Sequence, residues 1–231
     1  MVEITWLGHG SFQFRLESGE VILADPWLEG PTYPKGHTFD RIDAILVTHG
    51  HFDHLPDTVP LAKKFSPVVV SNYEISVWLE SKGVGNTSGM NKGGSQKAGP
   101  VVVTMTHALH SSGILEDGKM ICGGEPAGFV IEFPDGRKAY FAGDTDVFGE
   151  MELIREIHQP ELALLPIGDL YTMGPREAAA ACRMLQPKKV IPMHYGTFPP
   201  LTGRPERLAE LIQELEGTEV WPLEIGKPVT W

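Results

Sequence analysis

The segment from residue 44 to residue 54 constrains this chain more than any other, because an apolar run ends directly in a dense group of metal-binding side chains. The run Ala44-Ile45-Leu46-Val47 is typical of a buried strand. The next seven residues, Thr48-His49-Gly50-His51-Phe52-Asp53-His54, contain three histidines and one aspartate. Imidazole and carboxylate in this mixture are ligands preferred by zinc and the neighbouring divalent transition metals. The segment therefore predicts a metal site at the end of a strand.

The spacing within this segment predicts two ions. A strand that ends at Val47 lets the chain turn back over the sheet edge, where His49 and His51 can converge on one ion. Asp53 and His54 follow in a loop that turns towards a helix. Their side chains are thereby displaced towards a second ion, and the ions of two-metal sites lie about 3.5 to 4 Å apart. A lone histidine is more often a solvated surface residue, but four ligand-type residues at this spacing favour metal binding.

Composition and charge limit the classes of protein to which the chain can belong. The 231 residues are 42% hydrophobic and 21% charged, which predicts a single α/β domain over residues 1–231. The net charge of -11 opposes binding to nucleic-acid backbones and to anionic lipid. No basic segment precedes a long apolar run at the amino terminus, and no stretch approaches about 18 consecutive apolar residues. We therefore expect a cytoplasmic protein that binds neither nucleic acid nor membrane.

Apolar runs and turn residues predict a mixed order of strands and helices. Strands are predicted at residues 2–5, 11–16, 21–24, 44–47, 68–71, 101–105, 129–133, 138–142, 162–165 and 189–192. Helices are predicted at residues 73–82, 148–158, 175–185 and 205–215. Pro60 argues against one unbroken helix from residue 56 to residue 65. Two predicted strands end at an aspartate, Asp25 and Asp144, and so indicate a faint internal repeat. The pattern by itself supports a mixed α/β fold.

Three further ligand-type residues, His110, Asp144 and His194, follow predicted strands. Strand ends present their side chains at a common sheet edge, so each could complete the metal site. His107 competes with His110, because residues three apart in an extended segment point to opposite faces and one site does not recruit both. Asp146 is expected in a loop or as a hydrogen-bond acceptor next to the ligands.

Two other residues are candidates for roles beside the metals. His9 lies between two glycines that allow close backbone approach, and it either contacts substrate, shields the metals or caps a turn. Asp25, before Pro26, either accepts a hydrogen bond from the outer N–H of a ligating histidine or forms an Asp-Pro turn. His37 and His158 are assigned to the surface. The segments 122–128 and 170–173 are expected to form loops around the mouth of the site, or ordinary turns.

The two cysteines do not indicate a further metal site or a disulfide. Cys122 and Cys182 are the only two cysteines, and neither lies in a Cys-x-x-Cys pair. We therefore expect neither a thiolate zinc site nor a disulfide. Ser111 and Ser112 lack the strand-to-helix turn of a serine nucleophile, so covalent catalysis is not expected.

Taken together, these motifs resemble the metallo-β-lactamase superfamily. The segment from Thr48 to His54 matches the His-x-His-x-Asp-His signature of that superfamily completely. Five further segments occur in the expected order: Trp6 to Phe12, Leu23 to Pro26, Ala108 to Ser112, Phe141 to Asp146 and Ile191 to Tyr195. More narrowly, the chain resembles the branch of metal-dependent hydrolases that lies near the ascorbate-6-phosphate lactonases. The resemblance implies a four-layer αββα sandwich with the site along one edge.

The resemblance also implies an assignment of ligands. One ion would bind His49, His51 and His110, and the other would bind Asp53, His54 and His194, with Asp144 bridging both. The His-Ser-Ser pattern of the family selects His110 over His107. Asp25, Ser111 and Tyr195 are then expected around the ligands or in contact with substrate. The implied cofactors are two divalent metal ions, with zinc first and manganese, iron or nickel as alternatives.

The predicted activity is hydrolysis. A water held between two divalent cations loses its proton near neutral pH, because the metal charge can lower its pKa from about 15.7 to about 7. Asp53 or His9 would then protonate the leaving group. We expect the substrate to be a small ester, lactone or phosphoester. A nuclease or phosphodiesterase of the same superfamily and a catalytically silent metal-binding module are the alternatives, and a homo-oligomer is compatible with the sequence.

Overall fold

The computed structural model describes all residues, 1–231, as sixteen strands and five helices. The strands are, in chain order, β1 (Val2–Gly8), β2 (Ser11–Leu16), β3 (Val21–Ala24), β4 (Ala44–Leu46), β5 (Val68–Asn72), β6 (Thr87–Met90), β7 (Ser95–Ala98), β8 (Val101–His107), β9 (Gly113–Glu116), β10 (Lys119–Cys122), β11 (Ala127–Glu132), β12 (Lys138–Phe141), β13 (Leu162–Pro166), β14 (Lys189–Met193), β15 (Glu219–Val220) and β16 (Val229–Thr230). The helices are α1 (Thr58–Phe65), α2 (Tyr73–Ser81), α3 (Met151–His158), α4 (Pro175–Leu185) and α5 (Pro205–Leu211). The longest helix has 11 residues, too few to cross a lipid bilayer.

Two seven-stranded sheets share the same pattern of strand pairing. The first has the order β16-β1-β2-β3-β4-β5-β6, and the second has the order β15-β14-β13-β12-β11-β8-β7. In each sheet an antiparallel half changes to a parallel half, at β3 in the first sheet and at β12 in the second. These two strands are followed by Asp25 and by Asp144, in agreement with the predicted internal repeat.

Alternate residues of the buried strands face two different layers, as the period of two in a strand requires. In β13, Leu162 and Leu164 belong to the apolar core between the two sheets, whereas Ala163 and Leu165 pack against the layer that contains α3, α4 and α5. The outer face of the first sheet packs in the same way against α1 and α2. The predicted α/β fold, a four-layer αββα sandwich, is confirmed.

The structure contains a short helix and several strands that the sequence pattern did not predict. Helix α1 does form, because it begins at Thr58 and so places Pro60 in its first turn, where the backbone N–H has no helical partner to lose. Strands β6 and β7 lie in the Gly/Ser/Asn-rich stretch from residue 83 to residue 99, and β9 and β10 form a separate hairpin. Pairing with neighbouring strands outweighs weak local strand propensity at these places.

One edge of the sandwich collects the candidate site residues. Strands β3, β4 and β5 run parallel and end at this edge, as do β12, β13 and β14 in the second sheet. The loop after β4 carries the segment from His49 to His54, and the residue after β14 is His194. The turn between β1 and β2, which contains His9, lies at the same edge because β2 is antiparallel to β3.

Candidate metal centre

Three imidazole nitrogens converge where the loops after β4 and β8 meet. His49 Nε2 lies 3.0 Å from His51 Nδ1, and His51 Nδ1 lies 3.3 Å from His110 Nε2. Tetrahedral zinc ligands at their usual bond lengths are about 3.3 Å from one another. The spacing of these nitrogens therefore matches ligands arranged around one ion, and the three residues form one of the groups that can hold a metal.

A second group lies beside the first. His54 Nε2 and His194 Nε2 each lie 3.9 Å from Asp53 Oδ2. They are closer to Asp144 Oδ2, at 3.4 Å for His54 and 3.0 Å for His194. Two imidazoles and two carboxylates thus face a common point, a donor set that suits a divalent transition metal.

Asp144 connects the two groups. Its Oδ2 atom, already close to the second group, lies 3.7 Å from His110 Nε2 and 3.9 Å from His49 Nε2 in the first group. The side chain is 3% exposed, so it faces the ligand groups and not solvent. The structure therefore brings all seven residues of the predicted ligand set together, with Asp144 in the middle.

Unpartnered buried atoms test whether these residues fit a metal. Asp53 Oδ1, Asp144 Oδ1, His54 Nε2 and both ring nitrogens of His194 are buried without a hydrogen-bond partner. A buried polar atom without a partner costs about 1–3 kcal/mol. His54 Nε2 and His194 Nε2 face the carboxylate of Asp144 at short range without hydrogen-bond geometry, as expected for atoms that share a cation. The residues present therefore fit the binding of divalent metal ions.

Thr48 and Asp25 orient two of the histidines. The Thr48 backbone N–H donates to Asp25 Oδ1 at 2.8 Å, and its hydroxyl donates to Asp25 Oδ2 at 2.5 Å. The hydroxyl oxygen then accepts from His49 Nδ1 at 2.9 Å, and Asp25 Oδ2 accepts from His54 Nδ1 at 2.8 Å. These partners place the proton of each ring on Nδ1 and leave Nε2 free as a ligand. Asp25 thus accepts a hydrogen bond from the outer N–H of a candidate ligand histidine, the first of the two roles that the sequence suggested.

The backbone around Asp25 and His54 is tightly constrained. Asp25 has a φ of 43°, a left-handed conformation that costs a non-glycine residue about 1–3 kcal/mol. Gly10 faces the His54 ring, and a Cβ at residue 10 would lie 2.7 Å from His54 Cε1. Because a side chain would displace the ring, glycine is required for this approach of the β1–β2 turn.

His9 contacts two residues of the second group, Asp53 and His194. Its Nε2 atom donates to Asp53 Oδ2 at 2.9 Å, while its Nδ1 accepts from the Thr197 hydroxyl at 2.9 Å. The ring centroid lies 3.8 Å from that of His194. His9 is buried, yet it lines the cavity. His9 therefore does more than cap a turn, because its ring contacts Asp53 and faces the cavity.

The packed charges shift the pKa values of these groups. Burial lowers the pKa of His9 to about 4 and holds the pKa of His49 well below its usual value. Burial also opposes protonation of His54, but Asp144, Asp53 and Asp25 outweigh it and raise the pKa of His54 well above its usual value. Burial opposes ionisation of Asp53, but His54 and the hydrogen bond from His9 lower the pKa of Asp53 to about 2. The carboxylate of Asp53 is therefore ionised at neutral pH.

A cavity of about 600 Å³ opens onto the two groups. It is lined by seven of the candidate residues together with side chains from three loops: His9, His51, Phe52, Asp53, His110, Ser111, Asp144, Tyr171, His194, Phe198, Pro199 and Pro200. Ser111 Oγ lies 3.2 Å from His51 Nε2 and so marks the edge of the cavity. The histidines and carboxylates are therefore accessible to a small molecule.

Tyr195 and the segment 122–128 lie away from the cavity, and Asp146 lies in a loop, as one of the two sequence alternatives placed it. Tyr195 does not line the cavity, because its ring turns away and packs against Trp6 at 5.2 Å between centroids. Asp146 is exposed and accepts from the backbone N–H of Val147. The segment 122–128 also lies outside the cavity lining. Its Gly123 carbonyl accepts hydrogen bonds from Asn72 and from Ser112, two residues after His110.

The competing histidine also lies elsewhere. His107 ends β8 with its Nδ1 atom 3.1 Å from Lys92 Nζ, and its ring packs against Phe148. His110, three residues later, faces His51 and Asp144. The structure therefore selects His110, as the family pattern implied.

Comparison with known proteins places this geometry in a family. The sequence model of a family described as the β-lactamase superfamily domain matches residues 20–195. These residues contain all seven candidate ligands. The chain belongs to the metallo-β-lactamase superfamily. The chain is 64% identical over 231 residues to a metal-dependent hydrolase of Solibacter usitatus, with 100% of both chains covered. It is 51% identical over 228 residues to a metal-dependent hydrolase of Rubrobacter xylanophilus, covering 97% of this chain and 93% of the relative.

A solved structure supports the same relationship. Igni18, a metallo hydrolase from the archaeon Ignicoccus hospitalis, matches with a TM-score of 0.87 at 35% identity, over 100% of this chain and 98% of that chain. The family and the reaction class predicted from the sequence, a hydrolase of the metallo-β-lactamase superfamily, are confirmed.

Sequence reasoning missed the residues that shape the cavity and hold His9. Phe198, Pro199 and Pro200 come from the loop after β14, and Thr197 from the same loop binds His9. No periodic pattern marks this loop. The signal that could have identified it is its position directly after His194, because residues that follow a ligand at a sheet edge surround the site.

Proposed function

We propose that the seven converging side chains hold two divalent cations, with which the protein hydrolyses a small ester, lactone or phosphoester. His49, His51 and His110 would hold one ion, and the other would be held by Asp53, His54 and His194, with Asp144 between them. The observation that carries this proposal is that Asp53 Oδ1, Asp144 Oδ1, His54 Nε2 and both ring nitrogens of His194 are buried without hydrogen-bond partners in side chains that converge. Zinc suits the donor set best, and manganese, iron and nickel are alternatives.

Bound cations would supply the reaction with an activated water, since a divalent ion lowers the pKa of its water from about 15.7 to about 7, and would polarise the oxygen under attack. The residues of the chain supply orientation and proton transfer. Asp25 and Thr48 hold the rings of His54 and His49 in one direction. His9 Nε2 and Asp53 Oδ2 lie at the cavity and can deliver a proton to the departing group.

Two other functions found among such folds have less support. A nuclease needs basic side chains along the path of the phosphates, whereas no lysine or arginine lines the cavity and the net charge is -11. A catalytically silent metal-binding module does not require access to its metals, yet this cavity opens directly onto the side chains that would hold them. A small-molecule substrate is therefore the better proposal.

A chelation and mutation experiment tests the proposal. Protein loaded with zinc or with manganese is assayed on esters, lactones, thioesters, β-lactams and phosphodiesters, before and after treatment with a chelator. We expect hydrolysis of at least one class, and a loss of about 100-fold or more in kcat/KM on chelation and in Asp53→Ala. The matched control is Asp146→Ala, which removes an exposed carboxylate outside the ligand groups. Activity that resists the chelator, or full activity in Asp53→Ala, would refute the proposal.

A further inference from the structure

The cavity over the two ligand groups has two chemically different sides. One side consists of the imidazoles and carboxylates already described. The other consists of aromatic rings and prolines: Phe52, Tyr171, Phe198, Pro199 and Pro200. A volume of about 600 Å³ is large enough for a small organic molecule. A substrate whose scissile bond reaches the imidazoles must therefore place the rest of its structure against this apolar wall.

We propose that the substrate is an uncharged ester, lactone or thioester that carries an apolar group, and not a phosphorylated or carboxylated molecule. The inference rests on the proposed hydrolase function and narrows its substrate class. Its first support is the absence of lysine and arginine from the cavity lining. Sites that recognise carboxylate or phosphate groups use these side chains for paired, charge-assisted hydrogen bonds.

The apolar wall would also disfavour an anionic group. A phosphate or carboxylate that extends away from the imidazoles would lie against Phe198, Pro199 and Pro200 without a cationic partner. Burial of an unpaired charge against apolar surface is strongly unfavourable. Ser111 is the only hydroxyl side chain in the lining apart from the phenol of Tyr171, so few neutral donors are available to replace the lost water.

The apolar wall is preformed by contacts between its aromatic rings. Phe198 packs against His9 at 5.9 Å between centroids and against Trp27 at 6.1 Å, and Trp27 meets Phe52 at 5.8 Å with an interplanar angle of 90°. These contacts join the apolar wall to the residue that holds Asp53. An apolar group placed here would therefore be fixed relative to the ligand groups, which a loose surface patch could not do.

Backbone contacts hold the two loops of the wall together. A Cβ at Gly203 would lie 1.6 Å from the Ile167 carbonyl oxygen, so only glycine lets the loop after β14 pack against the loop after β13. Asp169 and Leu170 both have left-handed backbones, with φ of 69° and 57°, and they precede Tyr171. Two such residues in succession are typical of a segment held in place for function. Tyr171 is left 58% exposed at the rim.

A matched pair of substrates tests the inference. The two compounds are 4-nitrophenyl butanoate and mono-4-nitrophenyl succinate, which share the scissile bond and the leaving group but end in a methyl group or a carboxylate. After subtraction of the rates without protein, which for the succinate include attack of its own carboxylate on the ester, we expect the butanoate to have a kcat/KM about tenfold or more above that of the succinate. Binding of the corresponding non-hydrolysable ketones, measured by titration calorimetry, should follow the same order.

A charge introduced at the rim provides the second arm. Tyr171→Arg should raise kcat/KM for the succinate and lower it for the butanoate, so that the preference falls about tenfold or more. Tyr73→Arg is the matched control, since Tyr73 is equally exposed at 60% but does not line the cavity. The metal content of each variant is measured, so that a lost cation is not mistaken for altered recognition.

The outcomes separate the inference from the proposed function. Hydrolysis that favours the succinate or treats both esters equally, or a preference unchanged in Tyr171→Arg, would overturn the inference and leave the hydrolase proposal intact. Absence of hydrolysis of either ester, with the neutral ketone still bound more tightly, would count against the function and support the recognition of uncharged molecules.

Discussion

Replacement of Asp25 by asparagine changes one atom and tests how the ligands are oriented. Asp25 is fully buried and accepts three hydrogen bonds, from the Thr48 backbone, the Thr48 hydroxyl and His54 Nδ1. Asparagine has the same shape and tolerates the left-handed backbone at this position. It offers only one acceptor oxygen, so the three donors can no longer all be satisfied.

Both orientations of the new amide are unfavourable. If its nitrogen faces His54 Nδ1, it donates to that atom and moves the ring proton to Nε2, the atom that faces Asp144. If its nitrogen faces the Thr48 backbone N–H, two donors meet and a buried donor is left unpaired, at about 1–3 kcal/mol. Loss of such an orienting partner weakens metal binding about 10- to 100-fold, or about 1.4 to 2.7 kcal/mol.

Competition with a chromophoric chelator measures this loss. We expect Asp25→Asn to bind its weaker metal equivalent about 10- to 100-fold less tightly than the unmodified protein. Asp43→Asn is the control, because Asp43 also accepts a backbone N–H, from Val21 at 2.8 Å, but lies outside the ligand groups. Unchanged metal affinity in a folded Asp25→Asn protein would refute the idea that Asp25 fixes the His54 ring.

Three further predictions concern other parts of the structure. Gly10→Ala should weaken metal binding about tenfold or more, because its Cβ displaces the His54 ring, whereas Gly149→Ala, with open space around it, should not; equal affinities would contradict the close approach. Thr197→Val should lower kcat severalfold with unchanged metal content, because His9 loses the hydroxyl that donates to Nδ1; an unchanged kcat would contradict this role. In the native protein iodoacetamide should modify the exposed Cys122 but not Cys182, even as the pH rises from about 8 to about 10, because burial raises the pKa of Cys182 to about 12; mass spectrometry that finds Cys182 modified would show that this core opens.

The ligand set was predictable because each ligand follows an apolar strand. His49, His51, Asp53 and His54 occupy one short segment, so their proximity needs no knowledge of the fold. His110, Asp144 and His194 are far apart in sequence, and the family pattern supplied their selection. The role of Asp25 had a local signal as well, an Asp-Pro pair at a strand end, but its choice of His54 as partner depends on how β3 and β4 lie side by side.

The shape of the cavity could not be predicted in the same way. Phe198 packs against His9, and Gly203 lets the loop after β14 approach the loop after β13, and both contacts join segments that are distant in sequence. No local pattern encodes such contacts. The segment 122–128 forms a turn between two strands and does not line the cavity, which is the second of the two alternatives given for it. Its position depends on long-range contacts such as the hydrogen bond from Asn72 to the Gly123 carbonyl.

Titration of metal into protein stripped of metal, with activity followed at every addition, tests the central claim most directly. The claim is that seven side chains, with Asp144 in the middle, hold two cations that act together. It predicts that elemental analysis finds two ions per chain at saturation, that hydrolysis rises steeply only with the second equivalent, and that His51→Ala retains one ion and little activity. Full hydrolysis with one equivalent or with none, or a single ion bound at saturation, would contradict it.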